Sequence, residues 1–153
     1  MSTVLLLVDL ADAPRDEGRR VAAALAAQQS NGTYSWTRSG DVGAFVWSDD
    51  GPIGVDLEQI REIEDWPRIA AAFLDADTRS AIWRAADPLD AFFAAWTSLE
   101  SRGKAAGVGL TGPAPALPIS PFRVEHDGKR FIGTVAGTRA ALEPRWIARA
   151  TLG

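Results

Sequence analysis

The sequence has no cysteine, one histidine and one methionine among its 153 residues. Without cysteine there is no disulfide and no thiolate metal site, and a cytosolic location is the simplest interpretation. Long apolar runs are missing as well: the first run, residues 4–10, contains Asp9 and follows no basic residue. It is too short to span a membrane and lacks a signal peptide's charged start, so it predicts a β-strand.

Basic residues are few and dispersed. Lys plus Arg number 16 against 20 Asp plus Glu, so the formal net charge is −4, and only two of the basic residues are lysines. No Lys/Arg run is present, and this balance argues against nucleic acid as a partner. The arginine- and alanine-rich composition indicates a GC-rich bacterial source, and the 46% apolar content is typical of a folded domain.

The predicted elements follow in the order strand, helix, short strands, helices and terminal strands. Strands are predicted over residues 4–10, 33–36, 42–47, 53–58, 122–126, 130–136 and 146–152. Helices are predicted over residues 15–29, 66–73, 77–85 and 88–106. Tight spacing suggests an antiparallel meander over 33–58, and four prolines predict an extended connector over 111–121. The order predicts an α+β fold in which helices pack on an antiparallel sheet.

Two carboxylates alternate with apolar residues in the segment Gly54-Val55-Asp56-Leu57-Glu58. Residues two apart in a strand point to the same face, so Asp56 and Glu58 would project side by side. A strand whose solvent face is acidic by chance is the structural alternative. The preceding glycine favours a binding site, because it lets another backbone or a ligand approach closely.

A second charged pair lies in the segment Trp96-Thr97-Ser98-Leu99-Glu100-Ser101-Arg102-Gly103-Lys104. Glu100 and Lys104 are four apart and share one helix face, and Trp96 lies one turn earlier, where it would anchor the helix in the core. A surface ion pair would also explain them, although such pairs contribute only about 0.3–0.5 kcal/mol. Three carboxylates from two elements, with one ammonium nearby, suit a hard divalent cation that holds a polyphosphate.

Together these two segments resemble the 4'-phosphopantetheinyl transferase superfamily, whose hallmark is a G-[IV]-D-x-E strand followed by a W-[ST]-x-K-E-x-x-x-K helix. The resemblance implies that family's α+β fold and transfer of the phosphopantetheine arm of coenzyme A to a serine of an acyl, peptidyl or aryl carrier protein. It implies Asp56, Glu58 and Glu100 as ligands of Mg²⁺ or Mn²⁺. It further implies Glu100 as the base and Lys104 as a catalytic residue that contacts the coenzyme A phosphates.

Further positions follow from the same resemblance. Ser39 matches the end of the family's G-K-P-x-F-N-[LI]-S-H-S-G stretch, and Arg38 replaces its histidine, so both are candidate coenzyme A ligands. Leu99 replaces the lysine that precedes the family's glutamate, and Arg102 is the candidate substitute for that cation. Asn31 is uncharged where the family has a basic residue.

The chain is interpreted as one domain over residues 1–153, with a shortened first lobe over 1–52 and a lobe carrying the metal motif over 53–153. By resemblance, the region before Ser39 is about half the length found in two-lobed members. Basic residues in that lobe are interpreted as solvated helix residues (Arg15, Arg19 and Arg20). The scattered tryptophans are interpreted as core or lobe-interface residues, and His126 as a solvated strand end.

Two functions stay open. The retained charged residues favour an active transferase (Asp56, Glu58, Glu100 and Lys104). The departures favour a non-catalytic homologue that binds a carrier protein or another partner (Asn31, Leu99 and the short first lobe). We also expect a homo-oligomer, because a shortened lobe would expose apolar surface and could borrow basic residues from a second copy.

Overall fold

The computed structural model describes residues 2–110 and 116–152. The elements are β1 (Thr3–Asp9), α1 (Glu17–Ala27), β2 (Thr33–Ser39), β3 (Val42–Ser48), β4 (Gly54–Gln59), α2 (Trp66–Phe73), α3 (Ala76–Arg84), α4 (Pro88–Ala106), β5 (Ile119–His126), β6 (Lys129–Ala136) and β7 (Arg145–Ile147). A 3₁₀ helix over Arg149–Leu152 follows β7. The predicted α+β class is therefore confirmed. No helix of this described part has the length and hydropathy that a membrane crossing needs.

Two sheets with related topology make up the fold. The first has the strand order β2-β3-β1-β7 and the second the order β4-β6-β5. Residues 3–48 and residues 54–136 each run strand, helix, then a two-stranded antiparallel hairpin whose second strand pairs with the first strand of the unit. The chain is thus built from two β-α-β-β units, and the second carries two additional short helices.

The main hydrophobic core lies between the two sheets. Alternate residues of β1 and β4, such as Leu5, Leu7, Val55 and Leu57, point into it and are at most 2% exposed. Since side chains alternate along a strand, the residues between them face outward, toward the helices. Each sheet therefore has one face against the other sheet and one face against a helix of its own unit.

Each outer face is covered by its own helical layer. In the first unit, Leu6 and Val8 of β1 pack with Val21, Ala22 and Leu25 of α1. In the second unit, the three helices form a separate cluster against the second sheet (Ala70, Ile82, Phe92, Phe93 and Ile132). The arrangement has four layers, with the helices of the two units on opposite outer faces.

Local signals in the sequence define the helix ends. Asp75 and Asp87 cap α3 and α4 by accepting hydrogen bonds from the Thr78 and Asp90 amides at 2.7 and 3.1 Å. Gly107 ends α4 in the left-handed conformation with φ of 71°, which glycine adopts without steric cost. Asp87 and Gly107 thus bound the 19 residues of α4, the length on which the site depends.

Three expectations are wrong or incomplete. β4 leaves the predicted meander and pairs with β6, since local spacing does not determine which distant strand a segment joins. The last strand ends at Ile147 and not at residue 152, because β7 pairs with β1 through three residues only. The chain then continues as the 3₁₀ helix Arg149–Leu152. The connector predicted over 111–121 lies partly outside the described residues, and Ile119–Pro121 of that range belong to β5.

Candidate active site

Strand β4 places two carboxylates on the face opposite the main core. Val55 and Leu57 are buried between the sheets, so Asp56 and Glu58 point to the other face, where α4 packs. Their cross-strand partners on β6 are Thr134 and Ile132. The side-by-side projection expected from the sequence is therefore present.

Gly54 allows α4 to lie directly against β4. A Cβ atom at residue 54 would collide with the Ser101 carbonyl oxygen and lie 2.7 Å from the Ala105 amide nitrogen. Nearby, the Thr97 and Thr134 hydroxyls share a hydrogen bond of 2.8 Å between α4 and β6. This close approach brings the last turns of α4 over the carboxylates of the strand.

Asp56 is held in an environment that desolvates its charge. Its side chain is 8% exposed, and Oδ1 accepts a hydrogen bond from the Thr37 hydroxyl at 3.3 Å and lies 3.5 Å from Lys104 Nζ. Oδ2 is buried and has no hydrogen-bond partner among the described residues. Burial raises the pKa of Asp56 to about 7 against the pull of Lys104, and the charges of Glu58 and Glu100 raise it further.

Glu58 has a cationic neighbour that the sequence interpretation missed. Arg61 Nη1 lies 3.6 Å from Glu58 Oε2, and its guanidinium also sits over the Phe93 ring at 5.9 Å. Burial raises the pKa of Glu58, Arg61 lowers it, and the nearby charge of Glu100 raises it. Arg61 lies just beyond the strand motif, and a search for cations within three residues of Glu58 would have found it.

Lys104 connects three elements at the floor of the site. Its Nζ donates hydrogen bonds to the Val55 carbonyl of β4 at 3.0 Å and to the Trp36 carbonyl of β2 at 3.5 Å. The helical spacing from Glu100 correctly predicted that Lys104 lies near the carboxylates. The backbone contacts show that it also links the facing edges of the two sheets.

A wide cleft opens above this floor. Its volume is about 960 Å³, and it is lined by residues of β2 and by two cations from other elements (Arg15, Tyr34, Ser35, Trp36, Thr37, Arg38, Gly40 and Lys104). Arg15 and Arg19 also line an adjoining depression beside Trp36. Arg15 therefore shares a concave surface with Lys104, an arrangement suited to an anionic ligand.

Arg38 and Ser39 make contacts that support the walls of this cleft. The Arg38 guanidinium donates to the carbonyls of Pro14 at 2.8 Å, Gly40 at 2.9 Å and Leu10 at 3.2 Å. The Ser39 hydroxyl accepts the Gln59 amide at 2.9 Å, which ties β2 to the edge of β4. Arg38 thus holds the loop that carries Arg15.

Arg102 lies apart from the other proposed ligands. Its Nε donates to the Leu117 carbonyl at 3.1 Å, and with Leu99 it lines a separate cleft of about 370 Å³. Among the described residues, that cleft shares no lining residue with the cleft that contains Lys104. Two helix positions separate Arg102 from Glu100 and from Lys104, so it leaves α4 in a different direction.

The carboxylates suit a hard divalent cation in their chemistry. Among residues 2–110 and 116–152, no group of three His, Cys, Asp or Glu side chains is placed so that it could hold a metal ion. The fit rests instead on Asp56 Oδ2, a buried oxygen without a hydrogen-bond partner in the described part of the chain, and on the mutual repulsion of Asp56, Glu58 and Glu100. A cation bound to these oxygens would satisfy the first and relieve the second.

His126 lies at the end of β5, as expected from the sequence, but its side chain is only 25% exposed. Its Nε2 lies 3.3 Å from Asp9 Oδ2, and its ring stacks on Trp146 with centroids 4.6 Å apart. These contacts join β5, β1 and β7 at the edge opposite the Ser39 contact. The pair is part of the connection between the units and lies outside the cleft lining.

A protein with a buried carboxylate beside a cleft lined by cations, on two β-α-β-β units, is suited to an anionic ligand held with a cation. Comparison with known families assigns it more closely. The model of the 4'-phosphopantetheinyl transferase superfamily matches residues 52–147, which is most of the chain, and the protein belongs to that superfamily. The match includes β4 and α4, which carry the proposed site. No individual curated protein matches the chain.

Proposed function

We propose that this protein transfers the 4'-phosphopantetheine arm of coenzyme A to a serine of an apo carrier protein, with Mg²⁺ or Mn²⁺ as cofactor. The observation that carries the proposal is Asp56, whose buried Oδ2 has no hydrogen-bond partner among the described residues and whose Oδ1 contacts Thr37 and Lys104, two residues that line the cleft. Membership of the transferase superfamily supports the reaction class. The two β-α-β-β units would serve as its two lobes, in a protein acting in the cytoplasm.

In the proposed reaction, Asp56, Glu58 and Glu100 would hold the divalent cation. When bound there, such an ion would offset negative charge on the pyrophosphate and on the departing bisphosphate. The serine Oγ forms a bond to the phosphorus that bears the pantetheine arm, and the bond from that phosphorus to the bisphosphate oxygen breaks. Glu100, directly or through a water molecule, takes the serine proton, and adenosine 3',5'-bisphosphate leaves.

Coenzyme A binding is assigned to cations that face the cleft. Arg15 and Lys104 supply positive charge for the phosphates, and Trp36 supplies an aromatic surface between Arg15 and the floor. Arg38 acts indirectly, because its hydrogen bonds hold the loop that precedes Arg15. Ser39 is proposed as a donor to phosphate through its hydroxyl proton, which the contact with the Gln59 amide does not use.

A non-catalytic homologue that binds a carrier protein is the second candidate function. Arg38 lies at a position where the family has a ligand, but its guanidinium donates hydrogen bonds to backbone carbonyls. Arg102 lines another cleft. Both observations reduce the number of cations available to coenzyme A. Binding of a carrier without transfer would identify this function.

The deciding experiment is mass spectrometry of apo acyl, peptidyl and aryl carrier proteins after incubation with the protein, coenzyme A and Mg²⁺. The transferase predicts a mass gain equal to one phosphopantetheine arm on the carrier serine. Glu100→Gln and Asp56→Ala are the matched inactive variants, and Arg68→Ala, on the exposed side of α2, is the active control. If no carrier of the panel gains mass with the wild-type protein, the transferase proposal is wrong.

A further inference from the structure

Three hydroxyl side chains on one face of β2 connect the first unit to the second. They belong to Ser35, Thr37 and Ser39, which lie two residues apart and therefore share a face of the strand. β2 pairs with β3 in the first sheet, whereas β4 pairs with β6 in the second sheet. The contact between β2 and β4 thus depends on side chains, and these hydroxyls supply it.

The two outer hydroxyls contact the backbone of β4. The Ser35 hydroxyl accepts the Val55 amide at 3.1 Å, and the Ser39 hydroxyl accepts the Gln59 amide at 2.9 Å. The two amides are four positions apart on β4, as the two serines are on β2. These contacts fix the position of the strand, but they do not act on its carboxylates.

The middle hydroxyl, that of Thr37, contacts a side chain instead. It donates to Asp56 Oδ1 at 3.3 Å, and Thr37 is only 7% exposed. Thr37 also lines a small apolar cavity with Leu10 and Phe45, an environment that suits its methyl group. Because a β-branched side chain has few χ1 states, the direction of the hydroxyl is restricted as well. A hydrogen bond between two buried groups is stronger than one in water.

The two oxygens of the Asp56 carboxylate have different surroundings. Oδ1 accepts the Thr37 hydroxyl and lies 3.5 Å from Lys104 Nζ, whereas buried Oδ2 has no hydrogen-bond partner in the described part of the chain. The torsion that rotates an aspartate carboxylate is broad when nothing restrains it. Two contacts on the same oxygen restrain this rotation, so they determine which oxygen is left to bind a cation.

We propose that Thr37 is a positioning residue of the candidate cation site: its hydroxyl holds Asp56 Oδ1, which keeps Oδ2 available to the divalent cation. Thr37 acts through Asp56 and does not itself touch the cation. Hydrogen-bond partners of this kind orient the ligands of protein metal sites. The three candidate ligands lie in the second unit, so Thr37 gives the first unit a part in the site. The proposal rests on the proposed function, because the cation is the cofactor of that reaction.

Calorimetric titration with Mn²⁺, without coenzyme A, tests this role. Thr37→Val removes the hydroxyl and keeps the branched shape, and it should raise the Kd for Mn²⁺ by about tenfold or more, while Thr37→Ser should restore most of the affinity. Ser35→Ala is the matched control, since it removes a hydroxyl that contacts only the backbone of β4. It should lower the thermal stability but leave the Kd for Mn²⁺ within about twofold. Thr37→Ala gives the same comparison if Thr37→Val fails to fold.

The outcomes separate this role from the proposed reaction. If Thr37→Val binds Mn²⁺ more weakly than the wild type but no carrier gains mass, the positioning role stands and the transferase proposal fails. The positioning role is wrong if the wild type binds no Mn²⁺, if Thr37→Val binds it as tightly as the wild type, or if Thr37→Ser binds it as weakly as Thr37→Val. An equal loss of Mn²⁺ affinity in Ser35→Ala would also contradict it. Weaker coenzyme A binding with an unchanged Kd for Mn²⁺ would identify Thr37 as a direct coenzyme A ligand instead.

Discussion

The two β-α-β-β units share their strand order, but their first strands present different side chains to their helices. In the first unit, β1 turns Val4, Leu6 and Val8 toward α1, and this layer is apolar. In the second unit, β4 turns Asp56 and Glu58 toward α4. The same topology therefore supports a closed hydrophobic layer in one half of the molecule and a charged site in the other.

The difference between the helices explains how the second unit accommodates charge. α1 has 11 residues and α4 has 19, so α4 is longer by about 12 Å. Its N-terminal half packs through Phe92 and Phe93, which leaves the later turns, with Glu100 and Lys104, for the carboxylates of β4. A charged layer needs this separation, since burying ionised groups without partners is costly.

The largest expected effect comes from adding one methyl group beneath a helix in each unit. Gly54→Ala places a Cβ against the backbone of Ser101 and Ala105, which cannot move without shifting α4. Gly18→Ala in α1 meets three carbons of the Trp36 ring, the nearest at 2.7 Å, and this side chain can turn. We expect losses in the free energy of unfolding of about 3 kcal/mol or more for Gly54→Ala and about 1 kcal/mol or less for Gly18→Ala.

Urea denaturation of both variants at one pH measures this difference directly. Gly54→Ala should also reduce transfer activity in the remaining folded protein, because α4 carries Glu100. Equal losses in the two variants would show that α4 does not depend on the close approach at Gly54.

The second prediction concerns Asp56, the charged side chain that is buried in the second unit. Burial raises the pKa of Asp56 to about 7 from 3.8, so the folded state favours the protonated carboxyl. The resulting contribution to the free energy of unfolding is fully present below the unfolded pKa and is lost as the pH rises through 7. Without metal, Asp56→Asn should therefore be more stable than the wild type at about pH 8, by up to about 4 kcal/mol. The advantage should disappear at about pH 4.

Thermal unfolding across this pH range, with and without Mg²⁺, tests both the charge and the metal assignment. About 10 mM Mg²⁺ at pH near 8 should stabilise the wild type and leave Asp56→Asn almost unchanged. Leu6→Ile, a swap in the apolar layer of the first unit, should show no such pH dependence. Equal pH profiles for the wild type and Asp56→Asn would contradict the burial argument.

A third, smaller effect separates the two arginines at the cleft. Arg38→Ala removes hydrogen bonds to the Leu10, Pro14 and Gly40 carbonyls and should lower the free energy of unfolding by about 2 kcal/mol. Arg15→Ala should change stability by no more than about 0.5 kcal/mol. It should weaken coenzyme A binding by about tenfold, since it removes a charge-assisted contact to phosphate.

Calorimetric coenzyme A binding and thermal unfolding, measured on the same preparations, distinguish these roles. Arg68→Ala, whose side chain is 87% exposed, controls for loss of one positive charge. If the Arg38→Ala variant were as stable as the wild type but bound coenzyme A much more weakly, the indirect role of Arg38 would be wrong and Arg38 would be a phosphate ligand.

The smallest effect is expected at the two contacts that join the units. Ser39 and His126 occupy matching positions, since each pairs with the first residue of the following strand, Val42 or Lys129. Ser39→Ala leaves the half-buried Gln59 amide without its acceptor and should cost about 1 kcal/mol. His126→Gln loses a contact to exposed Asp9 and should cost about 0.5 kcal/mol or less. Chemical denaturation would resolve the order, and a larger loss at His126 would reverse it.

The local sequence was sufficient for much of the fold. Alternation over residues 54–58 predicted the strand and the shared face of Asp56 and Glu58, and helical spacing placed Glu100 and Lys104 together. The hairpin at Asp127-Gly128 was also predictable, and both residues have positive φ, 52° and 73°. These features depend on residues no more than four apart, so their physical cause is contained in short segments.

Other features depend on residues that are distant in the chain, and only the tertiary structure shows them. Only the assembled sheets show that β4 pairs with β6 and lies beside β2, and that Arg38 supports a loop through backbone carbonyls. Burial likewise leaves Asp56 Oδ2 without a hydrogen-bond partner among the described residues, while Thr37 and Lys104 contact Oδ1. Desolvation and hydrogen-bond partners are properties of a residue's surroundings, and those surroundings form only when segments such as Gly54 and Ser101, 47 positions apart, come into contact.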